Sequence, residues 1–256
     1  MNRTLTAEQV RRYQEDGIVS GITGLGADEI RYYRECFEEL EALVGGPQKF
    51  VASTHLYFPW AHELIRHAAI AGAAEDLLGP DVLVDNTVFL CKNPGDGAFA
   101  AWHQDGVYSG WYLTPSVSAW VALSDSTIEN GCMRVVPGSH RSGRFEHRPF
   151  AGENSLFLRT EEVQVEVDEA SARNVELRAG EFSLHDSNII HGSKPNVSDT
   201  RRIGFVIRYV TPAFQRRRGN HPLVRVRGRA DVAHVPLLET APSGDAGESF
   251  ARWRSA

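Results

Sequence analysis

The hydrophobic period of this chain changes near residue 81, and that change limits what it can fold into. Upstream, apolar side chains recur at helical spacing. Ile30, Tyr33, Phe37, Leu40 and Val44 mark a helix over 28–44, stopped by Gly45-Gly46-Pro47. Thr6 with Gln9 reads as a capping box for a helix that Gly17 closes, and residues 62–78 form a third amphipathic segment before Gly79-Pro80. Between these, residues 50–60 read as irregular and aromatic. Downstream the chain alternates as strands do. Short strands are expected at 82–84, 88–90, 116–123, 133–136, 163–167, 175–177, 182–184 and 203–210, separated by turns such as Asn93-Pro94-Gly95-Asp96-Gly97 and Asn130-Gly131. Strands of this length and spacing build a jelly-roll sandwich or barrel. The expectation is a mainly β fold with N-terminal helices in a single domain over 1–256. Residues 1–80 would be helical support, 81–214 a jelly-roll core and 215–256 a C-terminal extension. Residues 240–256, rich in Gly, Ser and Ala, read as a mobile tail in which Trp253 is suited to docking.

Composition narrows the partners. A hydrophobic share of 42% and a charged share of 23% are ordinary for a soluble globular protein. A formal net charge of −6 argues against nucleic acid, and Arg216-Arg217-Arg218 and the arginines from Arg225 to Arg229 read as solvated runs. No apolar stretch approaches the ~18 residues needed to cross a bilayer, and the N-terminus lacks a signal-peptide core, so no membrane partner is expected. Cys36, Cys91 and Cys132 are odd in number and widely spaced, which fits reduced thiols in a cytoplasmic protein better than disulfides or a thiolate zinc site. The oligomeric state is not legible.

The chemistry is carried by Trp102-His103-Gln104-Asp105-Gly106 and, far downstream, by His191-Gly192-Ser193 followed by Arg201-Arg202. On a strand, residues i and i+2 project to one side, so His103 and Asp105 could bind one metal with Gln104 turned away. Two imidazoles and a carboxylate form the ligand set that holds iron(II) on one face and leaves positions open for substrate and dioxygen. His191 is the best third ligand, since Gly192 after it allows close backbone approach; His185 is an alternative, better suited to a buried hydrogen-bonding role. An arginine beyond the distal histidine suits a co-substrate presenting a carboxylate, which guanidinium binds with two parallel hydrogen bonds. His140 reads as ordering a loop near the pocket mouth.

These motifs resemble the phytanoyl-CoA hydroxylase family of iron(II)/2-oxoglutarate oxygenases. The resemblance spans residues 5–214 and rests on Lys92-Asn93-Pro94-Gly95, Trp102-His103-Gln104-Asp105, the stretch from Asn130 to His140, and His191-Gly192-Ser193 with Asn196, Ser198 and Arg202. It implies a double-stranded β-helix (jelly roll, cupin-like) and iron held by His103, Asp105 and His191. It also implies 2-oxoglutarate held by Arg202, rather than Arg201, and by Ser193. Trp120 matches a cofactor-lining position, with core packing as its alternative. The opening over 5–18, the Pro94-Gly95-Asp96 turn and Arg208-Tyr209-Val210 are also similar to the syringomycin-type chlorinating branch. Those enzymes replace the metal carboxylate by a small residue to admit chloride; this chain keeps Asp105, so hydroxylation is the expected outcome.

The implied reaction couples decarboxylation of 2-oxoglutarate to succinate and carbon dioxide with O2-dependent hydroxylation of an unactivated C–H bond of a small molecule. That molecule is expected to be a natural-product intermediate or amino-acid derivative, with an anionic substrate left open. Candidate substrate contacts are Phe58 in the segment His55–Trp60, Tyr108, Trp111 and Tyr112 after the metal motif, and Arg208; residues 145–159 are a candidate lid. The alternatives are a cupin-like metal-dependent isomerase or binding protein, which would have no use for Arg202, and an oxygenase that desaturates or cyclises.

Overall fold

The computed structural model describes residues 3–109, 115–150, 154–157, 161–215 and 220–256. Helix α1 (Ala7–Asp16) starts on the Thr6/Gln9 capping box and ends at Gly17, whose φ of 79° is left-handed. Strand β1 (Ile18–Thr23) follows, then α2 (Ala27–Val44), β2 (Phe50–Ala52), α3 (Pro59–Leu64) and α4 (Ala68–Leu78). The stretch read as irregular from the sequence is thus ordered: β2 joins a sheet, and α3 begins on Pro59, whose missing N–H costs nothing at a first helical turn.

The β core comprises β3 (Val82–Lys92), β4 (Ala100–His103), the short α5 (Gly106–Ser109), β5 (Ser116–Ala122), β6 (Met133–Val135), β7 (His147–Pro149), β8 (Glu161–Val163), β9 (Arg173–Val175), β10 (Glu181–Asp186), β11 (His191–Ser193) and β12 (Arg202–Val210). Two further strands, β13 (Leu223–Arg227) and β14 (Leu237–Leu238), come from the C-terminal extension. The major sheet runs β1-β10-β5-β12-β3-β13-β14, with β2 also on β3; the minor sheet runs β4-β11-β6-β9, and β7 pairs with β8. Within the major sheet β13 and β14 are parallel; its other pairs are antiparallel. The fold is therefore mainly β with N-terminal helices, a jelly roll of facing sheets rather than a closed barrel.

Strand alternation sorts the major sheet into two faces. On β12, Ile203, Phe205, Ile207 and Tyr209 enter the large apolar core under the helices, while Arg202, Val206 and Arg208 line a cavity between the sheets. Phe89 of β3 is the hinge of the outer core. It stacks on Phe37 of α2 at 4.1 Å between ring centroids and meets Phe205 at 4.5 Å and Trp60 at 5.8 Å. β3 is one strand, not the two short ones expected. A register shift opposite Arg208/Tyr209 inserts an extra residue between Val84 and Asn86, so Val84 faces the outer core and Asn86 the cavity.

The C-terminal segment also departs from expectation. Residues 240–256 include α6 (Ala246–Arg254), capped by Asp245, and Trp253 does dock, donating Nε1–H to the Ala52 carbonyl at 2.8 Å. Among the described residues, no helix is long and apolar enough to cross a membrane. Replacing Phe89 by Ala should destabilise the fold by about 3–5 kcal/mol, read as a fall in the urea midpoint, because the cavity left among three aromatic rings cannot close.

Candidate functional site

His103 ends β4 and His191 opens β11, and the antiparallel register sets the two opposite one another. Their rings lie 4.1 Å apart between centroids. In each, Nδ1 meets the carbonyl two residues upstream: Ala101 O at 2.8 Å for His103 and Ile189 O at 3.1 Å for His191. A carbonyl can only accept, so Nδ1 carries the proton and Nε2 presents its lone pair. Both Nε2 atoms face Asp105 Oδ1, at 3.9 Å from His103 and 3.8 Å from His191. Asp105 lies one residue past Gln104 in the turn that leaves β4, and Gln104 is indeed turned away, donating to Gly143 O at 2.8 Å and Asn188 O at 2.5 Å. His103, Asp105 and His191 thus form a buried cluster able to hold a metal ion.

Protonation states suit that use. Burial first, despite the neighbouring carboxylate, brings His103 down to about 4, and burial with the adjacent His103 lowers His191 well below the usual histidine value. Burial alone would raise Asp105, but Arg208, His185 and His191 outweigh it and hold the carboxyl well below the usual range. Neutral imidazoles and an ionised carboxylate are the forms a divalent ion requires. The carboxylate is also held in orientation: Ser118 Oγ donates to Oδ2 at 2.5 Å, His185 Nε2 meets Oδ2 at 3.2 Å, and Arg208 reaches Oδ1 at 3.0 Å. His185 thus contacts the Asp105 carboxylate and lies outside the His103–Asp105–His191 cluster.

Deeper in the same cavity lies a cationic end. Arg202 is 2% exposed, donates to the Gly131 carbonyl and lies 5.3 Å from the Trp120 ring centre, with its Nε among the buried atoms lacking a partner. Its neighbour Arg201 points the other way and grips Glu41 of α2 with both terminal nitrogens, so only Arg202 serves the cavity. Opposite Arg202 on β3 stands Lys92, fully buried, which donates to Ser193 Oγ at 2.7 Å, to Gly131 O at 3.2 Å and to Lys194 O. Burial, then the Arg202 guanidinium, bring Lys92 down to about 6. Gly131 (φ 77°) is required here, since a Cβ would come within 2.3 Å of Lys194 O and 2.9 Å of Lys92 Nζ. A buried arginine, a buried lysine and the Ser193 hydroxyl fit a small carboxylate, which would compensate their desolvation.

The cavity wall between these ends is apolar: Phe50, Val88, Leu90, Leu156, Phe157 and Val206 contribute. Of the substrate contacts expected from sequence, Arg208 lines the cavity. Phe58 does not. It is 1% exposed in the outer core, 5.8 Å from Trp60, because α3 turns the aromatic segment onto the helical face; Phe50 of β2 takes the inward place. His140 lies against Gly17 at the end of α1, its Nε2 3.3 Å from Gln14 O. Trp111, Tyr112 and the Tyr108 side chain lie outside the described residues, as do 151–153 and 158–160 of the expected lid. Within that lid Phe157 sets its ring edge-on to His103 at 5.0 Å. Lys92, Ser118 and Asn86 were missed by sequence reading; their signal was a polar residue on the inward phase of an otherwise apolar strand.

Comparison with known proteins agrees with this geometry. Residues 5–204 match the phytanoyl-CoA dioxygenase (PhyH) family model. A probable alpha-ketoglutarate-dependent hypophosphite dioxygenase of Stutzerimonas stutzeri is 28% identical, over 80% of this chain and 71% of its own length. An ectoine dioxygenase of Streptomyces avermitilis is 26% identical over 76% and 75%. Among solved structures, the apo form of a non-heme monooxygenase, ThoJ, superposes with a TM-score of 0.82 at 34% identity, covering 96% of this chain and 93% of that one. A non-heme alpha-ketoglutarate-dependent carbocyclase, SnoK, gives 0.68 at 28% identity over 85% and 90%. These matches leave no ground for the alternative of an isomerase or a non-catalytic metal-binding protein.

Two outcomes follow for the site. A Cβ at Gly204 would meet Trp120 at 2.1 Å, so Gly204→Ala should push the indole off Arg202, change the near-UV circular dichroism and cost about 1–3 kcal/mol of stability. Ser118→Ala should leave the fold intact but weaken iron(II) or nickel(II) binding by roughly 10–100-fold in a metal titration, because Asp105 loses its orienting hydrogen bond.

Proposed function

Since the chain belongs to the phytanoyl-CoA dioxygenase family, and is therefore an enzyme dependent on iron(II), 2-oxoglutarate and O2, we propose that it hydroxylates an unactivated C–H bond of a small natural-product intermediate or amino-acid derivative. The observation that carries the proposal is one cavity lined by the His103–Asp105–His191 cluster and by Arg202 and Ser193, with Lys92 hydrogen-bonded to Ser193 beside it.

In this reading His103 Nε2, Asp105 Oδ1 and His191 Nε2 hold the iron. Arg202 and Ser193 bind the distal carboxylate of 2-oxoglutarate, with Lys92 Nζ donating to the Ser193 hydroxyl and so turning its proton toward the ligand. Trp120 backs the guanidinium and keeps it from swinging into the apolar wall. Bound at this site, iron(II) and 2-oxoglutarate supply an oxidant derived from dioxygen, with succinate and carbon dioxide released. The remaining tasks fall to the chain. Phe50, Leu156 and Phe157 exclude water and position the target carbon, and the paired Nδ1–H groups keep both imidazoles aimed. Asp105 fills the place a halide would need, which supports hydroxylation over chlorination. The likeness to a carbocyclase supports ring formation as the second reading, because the same hydrogen abstraction can end in a new bond within the substrate.

Anaerobic addition of iron(II) and 2-oxoglutarate should produce a weak visible charge-transfer band. Arg202→Ala should raise the 2-oxoglutarate dissociation constant by about 10–100-fold, the worth of one charge-assisted pair. Candidate metabolites are then ranked by substrate-stimulated succinate release. A band insensitive to Arg202→Ala, or a chlorinated product from the unmodified enzyme in chloride, would contradict the proposal.

A further inference from the structure

We infer that Asn86 is a specificity-determining residue in contact with substrate, its carboxamide N–H pair donating to a carbonyl oxygen on an uncharged, largely apolar molecule. The inference deepens the function proposed above and rests on it.

Two backbone irregularities meet at this residue. The extra residue of β3, between Val84 and Asn86, turns the Asn86 side chain to the cavity wall. Against it lies Ser53, just after β2, whose φ of 60° is left-handed, an unfavourable conformation for a residue with a Cβ. Contacts across to β3 hold that turn in place. Ser53 N–H donates to Thr87 O at 2.8 Å, and Ser53 Oγ donates to Asn86 Oδ1 at 3.1 Å. Beyond it, Thr54 Oγ1 and His55 Nδ1 meet Thr87 Oγ1 at 3.4 Å and 2.9 Å. The strained turn and the bulge together fix one amide.

Its orientation follows from the partners. Thr87 N–H can only donate, and it reaches Asn86 Oδ1 at 2.8 Å, so the amide oxygen, not its nitrogen, sits on the Ser53 side. Both lone pairs of Oδ1 are then occupied. Nδ2 has no hydrogen-bond partner among the described residues, and Asn86 lines the cavity between apolar neighbours, Phe50, Val88 and Leu156. A donor locked into an apolar wall discriminates between ligands. One that brings an acceptor completes it, and one that lacks an acceptor leaves it unpaired. β2 thus contributes Phe50 to the wall and leads directly into Ser53, which locks the amide.

The neighbour across the strands sets the charge of that acceptor. Register places Arg208 beside Asn86, but Arg208 is paired with Asp105 Oδ1 at 3.0 Å. A ligand anion here would compete with Asp105 for the guanidinium, and Asp105 belongs to the candidate metal cluster. A ligand ammonium would meet the Asn86 N–H pair donor against donor. A neutral carbonyl asks only for what Asn86 presents.

The test uses the anaerobic enzyme loaded with iron(II) and 2-oxoglutarate and follows the visible band and tryptophan fluorescence. Three probes share one frame: 4-phenylbutan-2-one, its hydrocarbon butylbenzene, and 3-phenylpropionate. Asn86→Leu should weaken the ketone by about 3–10-fold, the worth of one neutral hydrogen bond, and leave butylbenzene bound as tightly or more so. The wild type should bind 3-phenylpropionate no more tightly than the ketone. Ser53→Gly, which keeps the left-handed turn and removes the hydroxyl, should lower the ketone's advantage over butylbenzene by a smaller factor, and it decides the matter if Asn86→Leu does not fold. A ketone-to-hydrocarbon affinity ratio that is the same in wild type and variants would overturn the inference, as would tighter binding of the carboxylate than of the ketone. Failure of the wild type to form the band at all would remove the functional reading itself, a result separable from an unchanged ratio in a protein that binds both cofactors.

Discussion

The register of β11 against β4 is the constraint on which the site depends. It sets His191 opposite His103 although 88 positions separate them in the chain. No local preference could bring them together, and a slip of one residue would turn His191 to the other face of the minor sheet. The same pairing leaves Gln104 facing the opposite side, where it ties the loops at Gly143 and Asn188 to the end of β4. Side-chain aim is then set by backbone: each histidine spends Nδ1 on a carbonyl two residues before it, so Nε2 has one direction left.

The major sheet answers a different problem, that of burying charge. Its outer face is a continuous apolar core under α2, α3 and α4, built on Phe37, Phe89 and Phe205. Its inner face carries Lys92, Arg202, Arg208 and Asp105-directed donors at almost no solvent exposure. Burying such groups is unfavourable unless each finds a partner. Gly131 answers part of the demand with one carbonyl shared by Lys92 and Arg202, and Trp120 offers its ring to the guanidinium. The apolar outer core supplies the stability that offsets the cost of burying these charges, and Asp105 pairs with Arg208.

Much of this was readable from residue order. The helix over 28–44, the Thr6/Gln9 cap and the strands around Val117, Phe182 and Phe205 follow from period and turn chemistry. The candidate metal-binding trio was legible because His103-Gln104-Asp105 occurs together with the distal His191-Gly192-Ser193 and a downstream Arg202. Less legible was β3, where the extra residue between Val84 and Asn86 reverses which side chains face inward, so an alternating pattern broke into two apparent strands. Phe58 and Phe50 were equally aromatic candidates, and α3 decided between them by carrying the first onto the helical face. The Gly- and Ser-rich tail concealed α6, whose Trp253 anchors to Ala52 through a contact spanning nearly the whole chain.

Residue order alone determined the chemical inventory: two imidazoles, a carboxylate and cationic side chains set among short alternating strands, which is a statement about composition and local period. Which of those groups share a cavity was decided by tertiary structure. Arg201 and Arg202 are adjacent and chemically identical, yet one clasps Glu41 of a helix and the other enters the cavity beside Lys92. The physical reason is that inward or outward phase is not a property of a residue. It is inherited from the pairing of strands distant in sequence and from each bulge between them.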